Sequence, residues 1–394
     1  MTILSHSPDN PIYFDNAATT FPKPTRVIDE VIHYMTRIGG NPGRSGHRLS
    51  VESGEKLLSA RLELSRFFGI ENPMRVIFAC NATDGLNLAI QGMIGNGGHV
   101  VTTSMEHNST IRSLKELEKA GKISFSIIKC SSFGIIDVEE FQKSIMPDTI
   151  LAVINHGSNV YGTVQPIDEI GTICREKGIV FLLDAAQTAG SIPINIPEQK
   201  VDLLAFSGHK GLYGPTGTGG LVISDDFDYQ RLSPIRFGGT GSYSDKIEQP
   251  GFLPDMFESG TLNVAGIIGL KAGIDFITER GISAEIFNYK KKLVKKFISQ
   301  SIDKVTGFKN YIPAELIKTG VVSFNIENRF SSEVTQILSD DYNIMSRAGL
   351  HCAPLAHQTI GTFPHGTVRF SFSIFNTHED IDIAVRALVK ISKD

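Results

Sequence analysis

The sequence predicts an α/β protein of two domains, a large one on a mainly parallel seven-stranded sheet and a smaller α+β one toward the C-terminal end. Three observations carry that expectation. Between about residue 75 and residue 224, seven β-rich runs alternate with helix-like stretches, the pattern of parallel strands joined by crossover helices that cover both faces. Beyond residue 264 the order changes to two helical stretches followed by mixed strands and helices. A length of 394 residues exceeds what a single hydrophobic core usually supports. The large domain is expected over residues 14–263, and the small domain over 1–13 together with 264–394.

The seven strands are RVIFAC, HVVTTS, FSIIK, ILAVIN, IVFLLD, DLLAFS and GGLVIS. Five of them run straight into polar or glycine-rich segments: CNATDG, SMEHNS, NHGSNVYG, DAAQ and SGHKG. Ligands in such sheets sit beyond the carboxyl ends of the strands, so five strand ends converge on one candidate pocket. Further on, AGIIGLKAGIDFITERG and ISAEIFNYKKKLVKKFISQ have helical apolar spacing, the lysines of the second reading as a solvated face. TGVVSFNI and TVRFSFSIF read as strands, SSEVTQILSDD and THEDIDIAVRALVKI as helices. The N-terminal stretch PTRVIDEVIHYMTR reads as a helix packed on this C-terminal domain.

Composition excludes several function classes. Hydrophobic residues make up 41% and charged ones 20%, and the net charge of -4 comes from 38 basic and 42 acidic residues without a long run of either sign. Neither a nucleic-acid partner nor a membrane surface is expected from that balance. With no apolar run long enough to span a bilayer and no signal-type N-terminus, a cytoplasmic location is expected. Cys80, Cys130, Cys174 and Cys352 are far apart, with no CxxC pair or zinc-type spacing, so neither metal nor disulfide is expected. The first three lie in apolar runs that suit buried inert thiols. Cys352 stands instead among Gly349, His351 and Pro354.

Two residues carry the first chemical signal. Lys210, in Ser207-Gly208-His209-Lys210-Gly211, ends a buried strand among glycines, where a desolvated amine can act as a carbonyl nucleophile. On its own the pattern also fits a surface lysine in a turn. Asp184 closes the apolar run IVFLLD, a costly place for a carboxylate unless a cation such as a protonated pyridine nitrogen pairs with it.

Asp184-Ala-Ala-Gln187 followed by Ser207-Gly-His209-Lys210 resembles the fold-type I pyridoxal-phosphate transferases, and within them the class V aminotransferase group. Phe14-Asp15-Asn16-Ala17-Ala18-Thr19-Thr20 is similar to the N-terminal signature of the cysteine desulfurases. Met105-Glu106-His107-Asn108-Ser109, His156-Gly-Ser-Asn159-Val-Tyr-Gly162, Phe257-Glu258-Ser259-Gly260-Thr261 and Arg347-Ala-Gly-Leu-His351-Cys352-Ala-Pro354 follow in the family's order. The resemblance covers nearly the whole chain and is closest to the group II cysteine desulfurases and selenocysteine lyases.

That resemblance implies pyridoxal 5'-phosphate held as a Schiff base on Lys210, with Asp184 at the ring nitrogen and His107 stacked on the ring. It implies phosphate ligands at Ala82, Thr83, Ser207 and His209, and at Thr261 reaching the neighbouring subunit of a homodimer with composite sites. The segment Asn81-Ala82-Thr83-Asp84-Gly85 also opens a helix after a strand, a geometry that offers backbone N–H groups to an anion. The segment from His107 also reads as a helix cap, with both roles open to different residues of it. Asn159 and Gln187 match residues near the cofactor's phenolic oxygen. Arg369 matches the arginine that grips a substrate α-carboxylate, and Asn159, Asn16, Ala18, Arg347 and His351 are further substrate-side candidates. The loop Asn41–His47 resembles one that lines the entrance.

Cys352 matches the thiol that takes sulfur from L-cysteine, leaving L-alanine and an enzyme persulfide for transfer to an acceptor protein. Lys210, Cys352 and His107 are therefore the expected catalytic residues, with His351 a candidate for deprotonating the thiol. Two histidines after Cys352, His357 and His365, depart from the usual family pattern. A lyase acting on L-selenocysteine, a class V aminotransferase, and a sulfur carrier without turnover are the rival readings.

Overall fold

The computed structural model describes residues 11–43, 45–95 and 97–393; residues 1–10 of the expected small-domain segment and Arg44 of the entrance loop lie outside the described residues. In chain order the strands are β1 (Ile12–Tyr13), β2 (Val76–Ala79), β3 (His99–Thr103), β4 (Ser124–Ile128), β5 (Thr149–Asn155), β6 (Val180–Asp184), β7 (Leu203–Ser207), β8 (Gly219–Ile223), β9 (Phe308–Asn310), β10 (Val321–Ile326), β11 (Ile344–Met345), β12 (Arg347–Gly349) and β13 (Thr367–Ser371). The helices are α1 (Thr25–His33), α2 (Arg48–Phe68), α3 (Ala82–Met93), α4 (Asn108–Lys119), α5 (Val138–Lys143), α6 (Ile167–Lys177), α7 (Val264–Arg280), α8 (Asn288–Lys304), α9 (Ser331–Tyr342), α10 (Pro354–Ile360) and α11 (His378–Ile391).

All seven strands expected for the large sheet form one sheet in the order β2-β8-β7-β6-β5-β3-β4. Only β8 runs against the rest, antiparallel to both β7 and β2. Strands β6, β7 and β8 are buried along their whole length, which explains their continuous Val/Leu/Ile character. Beside it lies a four-stranded sheet, β12-β13-β10-β9, antiparallel throughout. The N-terminal β1 pairs in parallel with β11, Ile12 opposite Ile344, and Asp15 bridges to Ser371.

Helix starts follow local chemistry. Asn81 caps α3 by accepting from Asp84 N, 3.0 Å away. Thr377 and Asp380 form a reciprocal capping box on α11. His47, in the loop expected to line an entrance, accepts from Ser50 N and caps α2.

Two expectations about side chains are corrected. The lysine run of α8 is not wholly solvated: Lys290 is buried and donates to Ser191 Oγ at 2.9 Å, because helical spacing puts it on the face of Leu293, Val294 and Phe297. Cys80 is exposed, whereas Cys130 and Cys174 are buried; β2 ends at Ala79, so Cys80 falls in the turn beyond the strand.

Between α2 and the segment before α7, Arg61 and Glu258 form a buried ion pair, 4% and 6% exposed. Glu258 also accepts from Phe78 N at 2.6 Å, and Arg61 lies over the Phe78 ring. Arg61→Met would leave that carboxylate buried without its cation, and we expect it to cost about 3–5 kcal/mol in urea-induced unfolding. A change under about 0.5 kcal/mol would show the pair to be dispensable.

Candidate active site

Five strand ends build one pocket. At the end of β7, Ser207 is followed by a turn through Gly208 and His209 to Lys210, and a Cβ on Gly208 would meet Thr218 Oγ1 at 2.2 Å, so the turn closes only on glycine. β2 delivers the N-terminus of α3, where Ala82 N donates to Ser207 Oγ at 3.2 Å. Thr83 Oγ1 lies 2.8 Å from Ser109 Oγ on α4. β3 leads to His107, β5 to Asn155 and Asn159, and β6 ends at Asp184. Ala82, Thr83, His107, Asn159, Asp184, Gln187, Ser207 and Lys210 all line this pocket.

The N-terminal segment closes the far side. Thr20 N, the Thr19 and Thr20 hydroxyls and Lys23 Nζ all donate to the His209 carbonyl, at 2.8–3.2 Å, which fixes the backbone just ahead of Lys210. Gln187 Nε2 donates to Ala17 O at 3.0 Å. Asn16 spends its amide on the Tyr13 and Ser371 carbonyls, and Ala18 N closes a turn onto Asp15 O.

Burial sets the charge states. Desolvation pulls the Lys210 amine down to about 8, against the attraction of Asp184. Asp184 is 3% exposed; its carboxyl is pushed up by burial and eased back by the Ala186 N–H and Lys210. His107 is held down to about 4, chiefly by burial and then by the Lys210 charge. The cap on α4 is His107 itself, since its Nδ1 accepts from Ser109 N at 3.1 Å. The neutral ring therefore keeps its hydrogen on Nε2. Behind it, burial raises the Glu106 carboxyl to about 8.

Arg369 and the Cys352 turn are tied to this pocket through Asn159. Arg369 is 1% exposed and donates to Asp15 Oδ1 at 2.6 Å and to the Asn159 carbonyl at 3.1 Å. Its Nε, like Asn159 Oδ1 and His209 Nδ1, is buried without a hydrogen-bond partner among the described residues. Ala353 N donates to Leu350 O at 2.9 Å, closing a four-residue turn whose central residues, His351 and Cys352, have φ of 51° and 58°. Two left-handed residues in succession are the mark of a type I′ turn, where Asn and Gly are the usual occupants. For side-chain-bearing residues this costs roughly 1–2 kcal/mol each.

The surroundings hold that strain. Asn159 Nδ2 donates to the His351 carbonyl at 2.7 Å, and Asn108 N to the Cys352 carbonyl at 2.8 Å. Cys352 is exposed, with Arg347 Nη2 3.8 Å from its Sγ. The sequence-based expectation that His351 deprotonates Cys352 is not supported by the geometry. The His351 ring is buried, and both of its nitrogens are engaged, by His357 and by the Arg347 carbonyl. Thr261 is exposed and does not line the Lys210 pocket.

Asp15, Lys23, Glu106, Ser109 and His357 are the contributors that sequence reasoning did not assign. Asp15, Glu106 and Ser109 stand within the quoted motifs, beside residues that were assigned.

A half-buried lysine just past a buried strand, lining one pocket with a buried aspartate, on a seven-stranded sheet with one reversed strand, defines the class. The chain belongs to the class-V aminotransferase family, whose model matches residues 12–383. It is similar to a probable cysteine desulfurase of Pyrococcus abyssi, 35% identical over 97% of this chain and 94% of that protein. One from Halalkalibacterium halodurans is 34% identical over 96% and 92%. Among solved structures, the apo cysteine desulfurase of Thermococcus onnurineus NA1 superposes with a TM-score of 0.89 at 33% identity, covering 97% of this chain and 95% of that one. No cluster of side chains suited to a metal ion occurs among the described residues, and no described helix is long and apolar enough to cross a membrane.

Proposed function

We propose that this chain is a pyridoxal-phosphate-dependent cysteine desulfurase, converting L-cysteine to L-alanine and capturing the sulfur on Cys352. The observation that carries this reading is an exposed thiol in a pinned left-handed turn, with the Arg347 guanidinium 3.8 Å from its Sγ.

The class-V aminotransferases are pyridoxal-phosphate enzymes, and the pocket's residues fit that cofactor. Asp184 suits a protonated ring nitrogen. The N-terminus of α3 with Thr83, Ser207 and the unpartnered His209 Nδ1 suits a phosphate. His107 offers a ring face, Gln187 and Asn159 offer amides, and Lys210 offers the amine. When bound, the cofactor supplies an electron sink conjugated to the substrate's Cα.

The chain's own residues do the rest. Arg369 grips the α-carboxylate, with its unpartnered Nε available beside the edge that Asp15 holds. Asn16, Ala18 and Arg347 bound the substrate side. Lys210 Nζ, freed of its tether, moves the proton at the substrate's Cα. His107 can hold or give a proton only at Nε2, because α4 occupies Nδ1. At Cys352 the substrate's Cβ–S bond breaks and an Sγ–S bond forms. The transferred sulfur passes from the thiol level to sulfane sulfur while Cβ takes those two electrons and the thiol's hydrogen to become a methyl, so cysteine plus enzyme thiol gives alanine plus enzyme persulfide.

Product analysis tests the reading. Alanine should form in step with sulfur release, with no keto acid; accumulation of keto acid and aminated cofactor would make the chain an aminotransferase instead. Attachment of the cofactor needs the neutral amine, so its rate should rise about tenfold per pH unit up to about 8 and level off above, rather than climbing toward 10.5. Stopped-flow absorbance checks this.

A homodimer with composite sites is part of the proposal. Thr261 stands exposed, and Phe237 and Ile247, 71% and 98% exposed, lie on the segment leading to it. A monomer by sedimentation equilibrium at assay concentration would remove it. A cytoplasmic location suits four unpaired cysteines, and cell fractionation checks it. A domain division at 263/264 is part of the same proposal; the pairing of Ile12–Tyr13 with β11 supports an N-terminal contribution to the small domain, and limited proteolysis tests the division.

A further inference from the structure

Four buried side chains form a hydrogen-bonded line beneath the Cys352 turn, and the chemistry of one end fixes the direction of every bond. The Arg347 carbonyl lies 3.3 Å from His351 Nε2. A carbonyl only accepts, so Nε2 carries the hydrogen and the neutral ring keeps its lone pair on Nδ1. That lone pair faces His357 Nε2 at 3.3 Å, and His357 must therefore donate, with the Leu350 carbonyl a second acceptor for the same ring. With its hydrogen on Nε2, His357 accepts at Nδ1 from the Thr362 hydroxyl, 2.7 Å away. Thr362 Oγ1 in turn accepts from the Tyr161 hydroxyl at 2.5 Å.

The line is built into the fold at both ends. His357 stands on α10, and the end of that helix folds back so that the amides of Gly361, Thr362 and Phe363 all reach the His357 carbonyl, at 2.8–3.2 Å. That wrap sets Thr362 over the ring. Tyr161 follows Asn159 in the segment after β5, so one segment supports the turn twice, through Asn159 on the His351 carbonyl and through Tyr161 on this line. His351, His357, Thr362 and Tyr161 are all buried. Burial keeps both imidazoles uncharged at neutral pH, His357 at about 4, as the directed line requires.

We propose that His357 is a positioning residue for Cys352: by donating to His351 Nδ1 it locks the imidazole that anchors the left-handed turn, and so holds Sγ toward the pocket. The inference rests on the reading of Cys352 as the sulfur acceptor. It assigns a task to His357, and it makes His351 an anchor with no free nitrogen for proton transfer.

The test uses cofactor-loaded enzyme mixed rapidly with L-cysteine and follows two signals: the change in cofactor absorbance, which reads substrate binding, and persulfide on Cys352 in quenched samples by mass spectrometry. His357→Leu should slow sulfur capture at least about tenfold while the cysteine dependence of the absorbance change stays as in the parent enzyme, since a small misplacement of a reacting group is costly. His357→Gln, whose amide N–H can still donate to His351, should recover capture to within about threefold of the parent. Thr362→Val keeps the His357 ring but removes the hydroxyl that sets its tautomer, and should slow capture alone; this variant decides the matter if His357→Leu does not fold. Capture at the parent rate in His357→Leu, equal slowing in Leu and Gln variants, or a parallel loss of both signals would overturn the proposal. With Thr362→Val, an unchanged capture rate would do so. Separately, alanine formation at the parent rate in Cys352→Ala would remove the reading of Cys352 itself, whatever the His357 variants show.

Discussion

Lys210→Ala is expected to lower alanine formation from L-cysteine by at least about 10⁴-fold, because one side chain both tethers the cofactor and moves the proton at Cα. Neither neighbouring lysine can replace the tether: Lys23 donates to Thr20 Oγ1 and the His209 carbonyl, and Lys290 to Ser191, while His107 can exchange a proton only at Nε2. The fold should survive, since Lys210 replaced by a smaller side chain relieves a desolvated amine rather than breaking a core contact. Circular dichroism would verify that, and turnover would be read by alanine quantification. Partial recovery with an added small primary amine is expected, as the amine replaces the missing base. Turnover above about 1% of the parent without added amine would show that another group does the proton transfer.

Cys352→Ala is the second large effect, with an expected loss of about 10³-fold in alanine formation from L-cysteine. It should leave Lys210, Asp184 and Arg369 undisturbed, because the hydrogen bonds of Cys352 go to Asn108 and Arg347 and not to these three. Substrate binding and deuterium exchange at the substrate's Cα should therefore persist, separating proton transfer from sulfur capture. Release of selenium from L-selenocysteine should also persist, because selenium leaves without needing a thiol to attack it. Exchange lost together with turnover would mean that Cys352 supports the pocket's structure and not the sulfur step.

Much of this site was legible in the sequence because each functional residue follows a strand that announces itself. Asp184 closes the run IVFLLD and Lys210 follows DLLAFS by three residues, and both strands are buried throughout. The small domain was less legible at its edges. β1 and β11 are two residues long, β9 and β12 three, and such strands exist only through the tertiary pairing that defines them. Lys290 read as solvated because the lysine run around it mostly is; only the register of α8 turns that one side chain inward. The turn at Cys352 hid for a different reason. His351 and Cys352 occupy positions that turn rules give to Asn and Gly, and their left-handed geometry is imposed from outside by Asn159, Asn108 and the His357 line. The Asp15–Arg369 pair spans 354 positions of the chain, beyond the reach of any local pattern.

The most direct test of the account is mass spectrometry of the cofactor-loaded enzyme incubated with L-cysteine and quenched before any reductant is added. One extra sulfur atom on the peptide bearing Cys352, formed in equal amount with free alanine, is the predicted result. Alanine accumulating while Cys352 stays unmodified would contradict it.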